Sequence, residues 1–183
     1  MDTTKWTQAL DKTTQAFQEA FGSLSAAQLN LKPDPQSWSI AQNLDHLIVI
    51  NSTYFPVLDA LHAGTYKAPF HAKIGFIPSF MGKMVLKAVD PDRKQKGKTF
   101  PIWEPSSSEI EGEILSRFVS HQDELKSQIQ AASYLLDQGV IISSPANKNI
   151  VYSLPMAFDI IVTHERRHLE QAKEVRVNLK QNV

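Results

Sequence analysis

The sequence predicts an all-α protein, a four-helix bundle with a long crossover between helices two and three. Three observations carry this expectation. Four separate stretches repeat large apolar residues at three- and four-residue intervals, the period of an amphipathic helix. No stretch alternates apolar and polar residues convincingly enough to read as a strand. Roughly forty residues without helical period separate the second stretch from the third, a length that suits parallel neighbours, since antiparallel ones need only a few residues.

Helix one is carried by Trp6, Leu10, Phe17 and Phe21, with Gly22 as its stop. A short turn at residues 25–29 and the proline-containing stretch LKPDPQSW connect it to helix two. There Ser39 and Gln42 form a capping box, and Ile40, Leu44, Leu47, Tyr54, Leu58 and Leu61 continue one face toward His62. Asn51 interrupts that face, and Pro56 should kink the helix or end its regular part. Residues 64–104 form the crossover, with one short helix expected at 79–88. Ser106 and Glu109 read as a second capping box that opens helix three, which Ile110, Ile114, Phe118, Leu125 and Ile129 carry to about Tyr134. An extended turn around VIISSPANKNIVYS then leads into helix four, defined by Leu154, Phe158, Ile161, His168, Ala172, Val175 and Leu179.

A chain of 183 residues, 42% apolar, suits one domain over 1–183 with a single sizeable core. Nineteen basic residues balance nineteen acidic ones, which argues against nucleic acid or an anionic membrane as partner. The absence of cysteine excludes disulfides, thiolate ligands and a cysteine nucleophile, so any metal must sit on nitrogen or oxygen. Neither a signal segment nor a membrane-spanning run is evident, and the expected compartment is the cytoplasm.

The sharpest chemical feature is His164-Glu165-Arg166-Arg167-His168. Its two imidazoles, four residues apart, stack on one helical face and can chelate an ion. The apolar stripe of helix four brackets them, which directs His168 toward the interior. HERRH also matches the HExxH pattern of zinc proteases, but positions 171 and 174 are Gln and Glu where an extended form of that motif requires Gly and His. The third ligand is therefore sought upstream. His46, seven residues after the Ser39 cap and beside Leu44 and Leu47, is the candidate.

At these residues the sequence resembles the DinB/YfiT-like metalloproteins. Trp38-Ser39-Ile40-Ala41-Gln42-Asn43-Leu44-Asp45-His46 is similar to that family's W-S-x-x-(Q/E)-x-x-x-H segment, and residues 164–171 are similar to its H-x-x-x-H-x-x-Q segment. The resemblance implies an up-down-down-up bundle whose histidine triad, here His46, His164 and His168, binds one divalent ion, zinc or nickel. It also implies a small-molecule substrate and, for some members, a low-molecular-weight thiol as cosubstrate. Three imidazoles leave a coordination position open, so hydrolysis and thiol transfer are both expected chemistries. The alternative is a noncatalytic, metal-stabilised bundle that serves dimerisation or partner binding.

Around the ligands, Gln42 and Gln171 each lie about one turn from a histidine and either orient an imidazole or face solvent. Glu165 is grouped with Gln42 and Gln171 as a residue that supports the ligands, and Glu165 and Asp45 are each a candidate general base beside a ligand in sequence, although adjacent helical residues point about 100° apart. Asn51 is read as an interhelical contact, and His62, His71 and His121 as surface or rim residues. Arg93, Lys94, Lys96 and Lys98 read as a solvated loop. Phe76, Phe80, Met81, Met84 and Val85 are expected in core or homodimer contact rather than in a membrane anchor.

Overall fold

Trp6, Leu10, Phe17 and Phe21 are all buried along α1 (Thr4–Phe21), and Thr13 completes the inward face of that helix. The computed structural model describes residues 2–92, 99–111 and 113–181, so the charged run Arg93, Lys94, Lys96 and Lys98 lies outside the described residues. Ser25 and Gln28 form a capping box on the short α2 (Ala26–Asn30), and Ser39 with Gln42 forms another on α3 (Ile40–Ser52). Regular helix stops at Ser52. The chain restarts as α4 (Phe55–His62), with Pro56 in its first turn, where a missing N–H costs nothing. Gly64, at φ 67°, closes α4 in the left-handed region that favours glycine. The crossover contains α5 (Ile77–Ala88), two residues longer at its start than the sequence indicated.

Helix three differs from expectation. The helix α6 runs Ile114–Ala131 and does not begin at the Ser106 capping box. Side chains from earlier elements claim the backbone there: Ser106 N–H donates to Asp45, the Ser107 carbonyl accepts from Gln42, and Asn30 grips both polar groups of Ile110. The Ile110 N–H, which would close the first helical turn on Ser106, is given to Asn30 instead. After α6 a 3-10 segment, Ala132–Gln138, ends at left-handed Gly139. The expected extended turn is a β-hairpin, β1 (Ile141–Ser144) against β2 (Asn147–Ser153), with Ile142 opposite Tyr152 and Ser143 opposite Val151. It leads into α7 (Leu154–Gln181).

The long helices form the up-down-down-up four-helix bundle, α1 lying against α6 and α7, and α3 against the same two. Ring contacts fasten the first pairings, Phe17 against Phe118 at 5.0 Å and Trp6 against Phe158 at 5.2 Å. Each such fully buried ring contributes roughly 1.5–3 kcal/mol of transfer free energy. The core has two apolar parts. One gathers Leu10, Tyr54, Leu125 and Ile161, and the other Phe17, Leu47, Phe118 and Ala172. Each helix buries polar side chains between the two parts, Thr13, Asn51, Gln122 and Glu165 among them.

His121 is buried, 6% exposed, and not on the rim. It follows Phe118 by three residues and precedes Leu125 by four, which turns it inward beside the Phe55 ring. Its Nε2 has no hydrogen-bond partner among the described residues, and burial pushes its pKa down to about 4. An unfolded chain takes up this proton near pH 6.5, whereas the folded chain resists it until about pH 4. The contribution is therefore whole above pH 6.5 and lost as the pH falls toward 4. His121→Phe should flatten the acid side of the stability profile of metal-free protein by on the order of 1–3 kcal/mol. Urea melts at pH 7 and pH 5 measure the difference, and parallel slopes for the two proteins would contradict it.

Candidate metal centre

The Ser39 cap starts α3 so that His46 falls just past its second turn, facing α7. Every residue from 40 to 47 is buried, because α3 is covered on its outward side as well by the strap 103–110. His164 and His168, one turn apart on α7, meet His46 across the α3–α7 contact. The three rings offer nitrogens that all lie within 4.8 Å of one another, and all three residues are buried. His164 Nε2 and His168 Nε2 are 3.0 Å apart. Two nitrogens bound to one tetrahedral zinc at about 2.0–2.1 Å lie about 3.3–3.4 Å apart, so the cluster has the dimensions of a ligand set.

The outer nitrogens determine which lone pairs point inward. Asn43 Nδ2 donates to the Ser39 carbonyl at 2.8 Å, which turns Asn43 Oδ1 toward His168 Nδ1, also at 2.8 Å. His168 Nδ1 therefore carries the proton and Nε2 the lone pair. The Trp103 carbonyl plays the same part for His46 Nδ1. Burial pushes the His46 pKa down to about 4, against the weaker pulls of the Trp103 carbonyl and Asp45. Burial, reinforced by the other imidazoles and Arg167, holds His164 and His168 well below the usual histidine range. All three are neutral at neutral pH, the state in which imidazole binds a metal.

One indole walls the cluster: Trp38 lies 4.9 Å from the His46 ring and stacks at 5.9 Å on His168, whereas Trp103 meets His46 through its carbonyl and anchors its own indole N–H on Thr53. Asn43, Trp38 and Trp103 were not among the residues that sequence reasoning picked for the site. The first two stand inside the segment that resembles the family motif. Trp103 comes from the crossover, where nothing in the pattern marked it.

The remaining candidates are placed as follows. Gln42 is occupied with the helix cap and the Ser107 carbonyl and touches no imidazole nitrogen. Gln171 is half-buried. Glu165 turns away from the imidazoles: its Oε1 accepts from Asn51 on α3 and Gln122 on α6 at 2.9 and 2.7 Å, making Asn51 an interhelical contact. Burial raises the Glu165 pKa to about 8 against those two bonds, so it holds its proton at neutral pH. Asp45 carries the strap through Ser106 and pairs with Arg117 at 3.5 Å. His62 is exposed beside Tyr134, and His71 bonds the Asn149 carbonyl.

The Asn43 contact gives a direct test. Asn43→Leu leaves His168 Nδ1 without its acceptor and frees the tautomer, so metal affinity should fall about 10- to 100-fold. Asn43→Asp keeps the acceptor and should keep most of the affinity. Competition against a chromophoric chelator reads both values, and equal affinities for Asn43→Leu and the parent protein would show the contact to be irrelevant to the ion.

The family model of the DinB superfamily matches residues 9–172. The uncharacterized protein YuaE of Bacillus subtilis (strain 168) is 29% identical over 156 residues, covering 84% of this chain and 86% of that one. Among solved structures the chain is similar to YfiT from Bacillus subtilis, described as a probable metal-dependent hydrolase with an unusual four-helix bundle topology. That likeness has a TM-score of 0.61 at 16% identity and covers 97% of this chain and 87% of YfiT. At this identity it shows the shared fold.

Proposed function

Because this chain belongs to the DinB superfamily, we propose that it is a metal-dependent enzyme acting on a small molecule by hydrolysis or by transfer of a low-molecular-weight thiol. His46, His164 and His168 hold one divalent ion, zinc or nickel. The observation that carries the reading is the convergence of three buried, neutral imidazoles, two of them with their outer nitrogens tied to fixed acceptors.

When bound, such an ion supplies a Lewis acid that lowers the pKa of a water or a thiol to near neutrality. Asn43 and the Trp103 carbonyl orient two of the rings, and the Trp38 indole covers His46 and His168. The chain has no cysteine, so a sulfur nucleophile arrives as a cosubstrate. Hydrolysis is supported by the description of YfiT. The burial of every ligand favours a second reading, a metal-stabilised bundle without catalysis.

Turnover separates the two. Esters, amides and alkyl electrophiles, the last offered with small thiols, should include a substrate that is consumed by metal-loaded protein, spared after chelation and consumed again when zinc or nickel is returned. His46→Ala should be inactive toward it. If chelation lowers thermal stability while no substrate class is consumed by loaded protein, the structural reading replaces the enzymatic one.

A further inference from the structure

Five of the ten large apolar side chains exposed among the described residues fall within the fifteen positions 70–84. Phe70 is 82% exposed, Phe76 72%, Phe80 66% and Met84 50%. Phe76, Phe80 and Met84 succeed one another at four-residue intervals, from the cap of α5 along a single stripe, with Lys83 and Lys87 beside them. The opposite stripe of α5 is pinned. Pro78 and Gly82 are buried, and a Cβ on Gly82 would meet Met156 at 2.7 Å and Tyr152 at 3.1 Å, so the helix lies too close against β2 and α7 to roll its aromatic side inward.

Charge is segregated in the same place. Residues 60–89 carry Lys67, Lys73, Lys83 and Lys87 and no carboxylate, and residues 138–158, which include the hairpin that α5 packs on, add Lys148 and again no carboxylate. The whole chain balances nineteen charges against nineteen, so these two segments hold +5 and the remainder −5. Asp59, Asp90, Asp92, Asp137 and Asp159 border these segments, but α5 itself carries lysines and no carboxylate beside its exposed apolar stripe.

We propose that this α5 face docks on the anionic surface of a phospholipid bilayer, with Phe76, Phe80 and Met84 entering the acyl boundary and Lys83 and Lys87 meeting lipid phosphates. An interfacial helix has this composition, apolar side chains facing the lipid and lysines whose stems extend up to the headgroups. No helix among the described residues is long and apolar enough to cross a membrane, and docking needs none. A second copy of the chain is a poorer occupant. A two-fold interface sets a patch against itself, and here that places lysines against lysines with no carboxylate to answer them. Single-stranded nucleic acid would use the charge and the rings but leave Ile74 and Met84 without a counterpart.

Flotation with vesicles decides the matter. At low salt the protein should float with phosphatidylcholine vesicles that contain phosphatidylglycerol, and bind phosphatidylcholine alone at least about tenfold more weakly. Phe76→Ser/Phe80→Ser and Lys83→Glu/Lys87→Glu should each weaken binding to the mixed vesicles more than about tenfold, with unchanged circular dichroism and melting temperature. The changed side chains are exposed, so the fold tolerates them. A parent protein that stays with the unbound fraction, or binds both vesicle types equally, overturns the proposal. So does a dimer in sedimentation that Phe76→Ser/Phe80→Ser dissociates, which would assign the face to a second copy.

Discussion

Protein purified without an affinity tag should carry one divalent ion per chain, and His46→Ala should retain fewer than about one ion in ten chains under the same conditions. The effect is large because His46 alone brings α3 to the pair on α7; without it two nitrogens one turn apart remain, a chelate with no third arm. Stability should follow occupancy. An ion that binds only the folded chain adds about 4 kcal/mol when its free concentration is a thousand times the dissociation constant. For a domain of this size that is roughly 10 °C of melting temperature, lost on chelation and absent from His46→Ala at every metal concentration. The sign is fixed by linkage, since the unfolded chain gathers no comparable site. Full metal content in His46→Ala would mean that the ion sits elsewhere, and equal melting temperatures with and without chelator, in protein first shown to be loaded, would mean that it is not tied to folding.

The three histidines that converge were legible in sequence because two of them obey a helical repeat and the third sits a fixed distance from a cap. The surroundings were not. His46 falls off the centre of its stripe when only the core side of α3 is counted; the structure buries residues 40–47 on both sides because the strap 103–110 covers the outer one. That strap is held by backbone groups of Trp103, Ser106 and Ser107 bonding side chains 57–65 positions away, and backbone groups leave no trace in residue type. The hold of Asn30 on the Ile110 N–H explains why a good capping box at Ser106 starts no helix. The hairpin was missed for a different reason: IISS and NKNIVYS do not alternate apolar and polar residues, so neither shows the period of a half-buried strand. His121 was a failure of criterion. The absence of a histidine at ligand spacing argues against a metal at His121 but says nothing of burial, which its spacing from Phe118 and Leu125 determines.

Glu165→Leu should destabilise the protein by roughly 2–4 kcal/mol, although it replaces a buried polar group by a well-sized apolar one. The reason lies in the layer that separates the two apolar parts of the core. Asn51 and Gln122 both donate to Glu165 Oε1, and leucine would leave each donor buried with no acceptor, at about 1–3 kcal/mol apiece, partly offset by leucine's own transfer. Glu165→Gln keeps an acceptor oxygen and, since the native carboxyl is already neutral at neutral pH, should cost no more than about 1 kcal/mol. The triple change Asn51→Leu/Gln122→Leu/Glu165→Leu removes donors and acceptor together, along with Gln122 Oε1 and Glu165 Oε2, which have no hydrogen-bond partner among the described residues. It should recover most of the loss of the single leucine, because replacing all partners of a buried polar layer by apolar groups of similar volume is often nearly neutral. Denaturant melts of the three variants test this, and a triple variant less stable than Glu165→Leu would contradict the account. The glutamine variant also separates packing from chemistry. In the proposed enzyme, Glu165→Gln keeps turnover if Glu165 only joins α7 to α3 and α6; a carboxyl that reached the substrate would lose turnover at unchanged stability, since glutamine can accept a hydrogen bond but cannot exchange a proton.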